Sequence, residues 1–161
     1  MTLAGIQPVT LAGCRFQFPL PLSGNSGEPK PSRGNLDMLA RRGTGRGTRL
    51  SVWELKVPDA RAFPIEQAYI YAVTLIKVLR SSSGEFWFRN IFGFQGRLPR
   101  KLIVESVVAV SFTRDATKKA FEDKHRAFRK EVPLELGPDS IKLCAAYYQR
   151  NPLRIDLVEL T

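Results

Sequence analysis

The spacing of apolar and polar positions divides the chain into strand-like and helix-like segments. Residues 9–20 read as a first strand, and the Pro/Gly/Ser-rich stretch 21–34 as a flexible loop. Residues 35–42 and 48–57 read as two strands around the turn Gly43-Thr44-Gly45-Arg46-Gly47, and so as a hairpin. Over 64–80, Ile65, Ala68, Tyr69, Ala72, Val73, Ile76 and Leu79 recur at helical spacing behind Pro64, a residue favoured in a first turn. Ser81-Ser82-Ser83-Gly84 ends that helix, and the aromatic stretch 86–94 predicts a short helix or lid. Residues 102–112 form a β-branched strand pattern. Residues 115–130 read as an amphipathic helix with Ala120, Phe121 and Phe128 inward, and 141–149 and 153–160 as two closing strands. This order predicts an α+β fold, a sheet flanked by helices, in a single domain spanning 1–161.

The hairpin is where the pattern turns chemical. With the turn centred near Gly45, Asp37 falls opposite Trp53 and Glu54, to within one residue. Alternation along a strand puts Val52, Glu54 and Lys56 on one face and sends Trp53, Leu55 and Val57 into apolar packing on the other. A carboxylate inside an apolar strand is costly unless a cation balances it. Two neighbouring carboxylates also repel, and a hard divalent ion with oxygen ligands relieves that repulsion. An ion held there can activate water and stabilise charge on a phosphate. Glu54-Leu55-Lys56 alone reads as a plain ion pair on an exposed strand. Asp37 placed opposite turns the reading towards a site.

Charge adds a partner class. Lys plus Arg number 25 against 15 Asp plus Glu, a net charge of +10. Such a balance favours polyanions, nucleic acid first and acidic membrane surfaces second. Arg41, Arg42, Arg46 and Arg49 crowd the hairpin tip and read equally well as phosphate contacts or as a solvated turn. Phe86, Trp87, Phe88, Phe92 and Phe94, near Arg89, Arg97, Arg100 and Lys101, could stack on bases but fit a packed core better. Cys14 and Cys144 stand far apart in apolar runs, with no Cys-x-x-Cys spacing, and His125 has no ligand-spaced companion. That argues against zinc or iron–sulfur sites and for buried thiols and a structural, satisfied histidine. Without a membrane-length apolar run or signal-peptide order, the expectation is a soluble, cytoplasmic protein.

Asn35-Leu36-Asp37 followed by Val52-Trp53-Glu54-Leu55-Lys56 resembles the PD-(D/E)XK nuclease superfamily. Gln67-Ala68-Tyr69-Ile70-Tyr71 is similar to the Gln-x-x-x-Tyr of its RecB-like branch, with Gln67 and Tyr71 one helical turn apart on a polar stripe that includes Thr74. The resemblance covers roughly residues 9–80 and implies a restriction-endonuclease-like mixed sheet flanked by helices. It further implies cleavage of nucleic acid, DNA first, with Mg²⁺ or Mn²⁺ held by Asp37, Glu54 and the Leu55 carbonyl. Lys56 would steady the water or transition state, Gln67 would position Lys56 or a phosphate, and Tyr71 completes the motif. The family's first core helix is missing from the pattern, which points to a missing N-terminal segment or a homodimer. The family's upstream histidine is absent too. The rival expectations are a catalytically inactive nuclease-fold module that binds nucleic acid, and a small basic interaction protein with no nucleic-acid role.

Overall fold

The computed structural model describes residues 6–9, 17–23, 31–43, 49–56, 64–111, 115–149 and 154–160. Nine strands and three helices are defined among them. The strands are β1 (Ile6–Pro8), β2 (Phe18–Ser23), β3 (Pro31–Leu36), β4 (Met38–Arg42), β5 (Arg49–Lys56), β6 (Ile103–Ser111), β7 (Glu135–Leu136), β8 (Asp139–Gln149) and β9 (Arg154–Glu159). The helices are α1 (Pro64–Arg80), α2 (Gly84–Phe86, running into a π-turn at Trp87–Ile91) and α3 (Asp115–Arg129). No helix among the described residues is long and apolar enough to cross a membrane.

A mixed seven-stranded sheet runs β1-β4-β5-β6-β8, with β7 and β9 both paired to β8. β5, β6 and β8 are parallel, joined through α1 and α3, and the remaining pairs are antiparallel. A parallel neighbour demands a long return path, and the two helices supply it. Both lie on one face. Leu39, Leu50, Val52, Val104 and Leu143 of the sheet pack there with Ala72, Leu75 and Leu79 of α1. Phe121 and Phe128 of α3 pack against Ile65, Ala68 and Val108 on the same side. The opposite face gathers Ile6, Ala40, Trp53, Val107, Cys144 and Ala146, and no described helix joins that cluster. The α+β architecture with a helix-flanked sheet is therefore as the pattern of elements predicts.

Several local expectations are corrected. The stretch 9–20 is not one strand: β1 ends at Pro8, β2 starts at Phe18, and 10–16 lie outside the described residues. The supposed loop at 21–34 carries strand at both of its ends. Residues 18–23 and 31–36 pair as a separate hairpin, while 24–30 lie outside the described residues. A two-stranded hairpin leaves one edge of each strand free, so it tolerates proline, and Phe18, Leu20 and Leu36 bury at alternate positions. Strand 35–42 is broken at Asp37, a bend between β3 and β4. On α1, Tyr71 is buried rather than on a polar stripe, and Leu75 joins the core. On α3, Ala120 is exposed because the inward stripe is Phe121, His125 and Phe128, spaced by four and three residues. Leu55 is exposed rather than packed, since β4 has ended beside it and no described helix covers that face.

Candidate functional site

Glu54 and Lys56 sit at the C-terminal end of β5, beside parallel β6, where open parallel sheets usually present their ligands. The hairpin register falls within the expected one: Met38 pairs with Trp53, so continuation of the ladder sets Asp37 against Glu54. Asp37 lies at the bend itself, and its Oδ2 accepts the Leu55 N–H at 2.7 Å. In an extended strand a residue's N–H and C=O point to the same side. The Leu55 carbonyl therefore faces the gap that β4 leaves, beside Asp37. Gln17 brackets Asp37 from the other direction. Its backbone N–H donates to the Asp37 carbonyl at 3.0 Å and its side-chain amide to Oδ1 at 3.2 Å. Gln17 adopts φ 60, a left-handed conformation that costs a non-glycine residue and is held by these two bonds.

Glu54 is 1% exposed. Its Oε1 meets Lys56 Nζ at 2.6 Å, while Oε2 is buried without a partner among the described residues. Burial raises the Glu54 carboxyl above its ordinary value, and the charge of Asp37 adds to that against the pull of the Lys56 bond. A buried carboxylate oxygen with no donor, raised mainly by its burial, is relieved either by a proton or by a cation. Among the described residues no three His, Cys, Asp or Glu side chains gather as a metal cluster. The protein oxygens on offer are those of Asp37, Glu54 and the Leu55 carbonyl. So sparse a set suits Mg²⁺ or Mn²⁺, which keep several waters, better than an ion that needs a full protein cage.

Gln67 and Tyr71 are joined to each other. The Gln67 amide donates to the Tyr71 hydroxyl at 3.1 Å, satisfying the polar tip of a tyrosine whose ring is in the core. Among the described residues no hydrogen bond of Gln67 reaches Glu54 or Lys56, so its place is on the helix beside the strand rather than on the lysine.

The hairpin arginines divide. Arg41 is exposed, with Nε on the Gln7 side chain at 2.5 Å. Arg42 and Arg49 instead converge on Glu105, which is 0% exposed and also accepts from Ser51 Oγ at 2.7 Å. Burial pushes the Glu105 carboxyl up, but the bonds from Arg42, Ser51 and Arg49 outweigh it and hold it below its ordinary value. Arg46 lies outside the described residues, as do Cys14 and Val57.

Sequence reasoning misses Glu105. The signal was there: a glutamate inside the apolar run Ile103-Val104-Glu105-Ser106-Val107-Val108, the same anomaly that marks Glu54. Cys144 is a buried thiol as expected, its pKa pushed up to about 12 by burial. His125 is buried but not satisfied. Nδ1 meets the Phe121 carbonyl oxygen at 3.1 Å and Nε2 has no partner among the described residues. In the aromatic stretch Phe88, Phe92 and Phe94 are core, whereas Phe86 is exposed.

Comparison of the chain with protein-family models, with curated proteins and with solved structures finds no match. The reading of the site rests on its own geometry.

Proposed function

We propose that the chain is a metal-dependent nuclease of the PD-(D/E)XK type that hydrolyses phosphodiester bonds in nucleic acid, DNA first. The observation that carries the proposal is the buried, unpartnered Glu54 Oε2 beside Asp37, with Lys56 on the other oxygen. The order of hairpin, α1 and parallel β6 around that point supports a restriction-endonuclease-like sheet. Asp37, Glu54 and the Leu55 carbonyl would hold Mg²⁺ or Mn²⁺. When bound, such an ion supplies Lewis acidity to a phosphate oxygen and makes water a nucleophile near neutral pH. The Leu55 N–H and Gln17 fix the Asp37 carboxylate before any ligand arrives, so little reorganisation is needed. The Lys56 ammonium, shared with Glu54 Oε1, would donate to a water or a non-bridging oxygen. Gln67 satisfies the Tyr71 hydroxyl within α1 and would present that helix face to the site.

A second reading is an inert module that binds nucleic acid, and the Lys56–Glu54 ion pair favours it, because it already neutralises half of the carboxylate. One experiment separates the two. Plasmid, linear duplex and single strands are incubated with Mg²⁺, Mn²⁺ or chelator, and Mn²⁺ binding is followed by calorimetry. The nuclease predicts ion-dependent cutting that Glu54→Gln abolishes together with ion binding. Lys56→Ala should lose about 10²–10³ in rate while still binding Mn²⁺. Wild type that binds DNA without binding Mn²⁺ or cutting, and keeps that binding in Glu54→Gln, establishes the inert module instead.

A further inference from the structure

Away from Glu54, a cavity of about 450 Å³ opens where β5 begins and the 92–102 connection enters β6. Its apolar wall is Leu50, Phe88, Phe94 and Leu102, all buried, with the two phenyl rings 4.9 Å apart and tilted by 41°. Its polar rim carries Arg41, Arg97 and Lys101, and no carboxylate among the described residues lines it. Leu50 and Glu54 share a face of β5, about 13 Å apart at ~3.3 Å per residue.

The rim charges are unbalanced. Elsewhere Arg42, Arg49, Arg80 and Lys142 each meet a carboxylate. Among the described residues Arg97 and Lys101 meet none, and Arg41 spends only Nε, on a neutral amide. Three cations around one opening repel one another until an anion joins them.

The wall is also pre-built. The 92–102 connection has no regular structure, yet side chains pin it along its length. Arg89 Nε donates to the Gly96 carbonyl at 2.8 Å, with Gly96 itself left-handed at φ 86, and Glu85 accepts the Leu98 N–H at 3.1 Å. Arg80 holds the Pro99 and Arg100 carbonyls at 2.9 and 3.1 Å, and is locked in turn by Asp139, which also accepts the Leu102 N–H. A fixed, irregular loop on a scaffold is a common form of binding surface, and pre-ordering it lowers the cost of binding. The volume falls in the range of about 300–1,000 Å³ usual for small-ligand sites.

We propose that this cavity is a separate binding site for a nucleoside phosphate, with the base against Phe88 and Phe94 and the phosphate among Arg41, Arg97 and Lys101. The ligand is either a free nucleotide or the phosphorylated end of a strand, since both present the same chemistry. The site does not depend on the nuclease reading. Full-length protein is titrated with AMP, adenosine, inorganic phosphate and a short 5′-phosphorylated single strand. AMP should bind at least about tenfold more tightly than adenosine or phosphate, because only it engages both wall and rim. Arg97→Ala and Lys101→Ala, both at exposed positions, should each weaken AMP by about tenfold, the scale of a charge-assisted bond. Phe94→Leu should narrow the preference for AMP over phosphate. A strand that binds more tightly than AMP and is displaced by it identifies the strand end as the source, and AMP binding alone identifies the free nucleotide. Glu54→Gln should bind AMP as wild type does, so loss of cutting and loss of this site are read separately. Equal binding of phosphate and AMP, or AMP binding indifferent to both rim substitutions, would overturn the proposal.

Discussion

At the scale of single residues, the fold hides polar groups that sequence spacing marks only as anomalies. His125 is the clearest case. Burial holds its imidazole at a pKa of about 4 instead of 6.5, with the Phe121 carbonyl and the Glu122 charge pulling weakly the other way. The unfolded chain therefore takes up a proton first as pH falls. Stability from this group is complete above pH 6.5 and is lost progressively down to about pH 4, on the order of 3 kcal/mol in all. His125→Phe should remove that acid-side loss, which urea unfolding at a series of pH values would read. An equal loss in the variant would place the acid sensitivity elsewhere. Glu105 and Asp139, held below their ordinary values by Arg42 and Arg80, lose their share only at lower pH. Asp37, Glu54 and Lys56 were legible because strand periodicity and one turn place them. The Arg42–Glu105 and Arg80–Asp139 pairs were not, since they join residues 63 and 59 apart and no local pattern carries such a distance.

At the scale of elements, what the sequence revealed depended on how much each segment's own period decides. α1 occupies 64–80 as its spacing predicts, because seventeen residues of helical repeat outweigh local accidents. β6 and β8 follow their β-branched and apolar runs for the same reason. The β2–β3 hairpin escaped because its proline and glycine content reads as loop, whereas its pairing is decided by Phe18, Leu20 and Leu36 reaching a common core. β7, two residues long, exists only through β8. The junction of α1 and α2 is set by Gly84 more than by any period. Its N–H donates to the Ser81 carbonyl at 2.9 Å, and a methyl there would stand 1.9 Å from the Leu79 carbonyl oxygen. That contact is backbone, so the helix or the turn must shift to admit it. Gly84→Ala should cost about 1–3 kcal/mol, in the manner of an overpacked core. Thermal and urea midpoints would check this, and an unchanged midpoint would show that the junction yields freely. The same shift would loosen Phe88 and Phe94, so the variant should bind AMP more weakly as well.

At the scale of the whole molecule, a net charge of +10 says little until it is known which cations are free to meet phosphate. Four arginines around one hairpin tip suggest a single basic patch in the sequence. The structure separates them: Arg42 and Arg49 are drawn onto buried Glu105, while Arg41 turns towards the cavity that Arg97 and Lys101 also line. Pairing with a carboxylate leaves a cation little net charge to exchange for a phosphate contact, and few counterions to release. Each contact from an unpaired cation should instead contribute about 0.9 to the slope of log affinity against log salt on duplex DNA. The triple substitution Arg41→Ala, Arg97→Ala, Lys101→Ala should therefore flatten that slope by about 2–3. The double substitution Arg42→Ala, Arg49→Ala should leave the slope close to wild type and damage the fold, because Glu105 would be left buried and unpaired at a cost of about 3–5 kcal/mol. Fluorescence anisotropy of labelled duplex across a salt series, with unfolding curves on the same proteins, measures both effects. If the double variant flattens the slope as strongly as the triple, the Glu105 pairs open on binding and the hairpin tip is itself part of the phosphate contact.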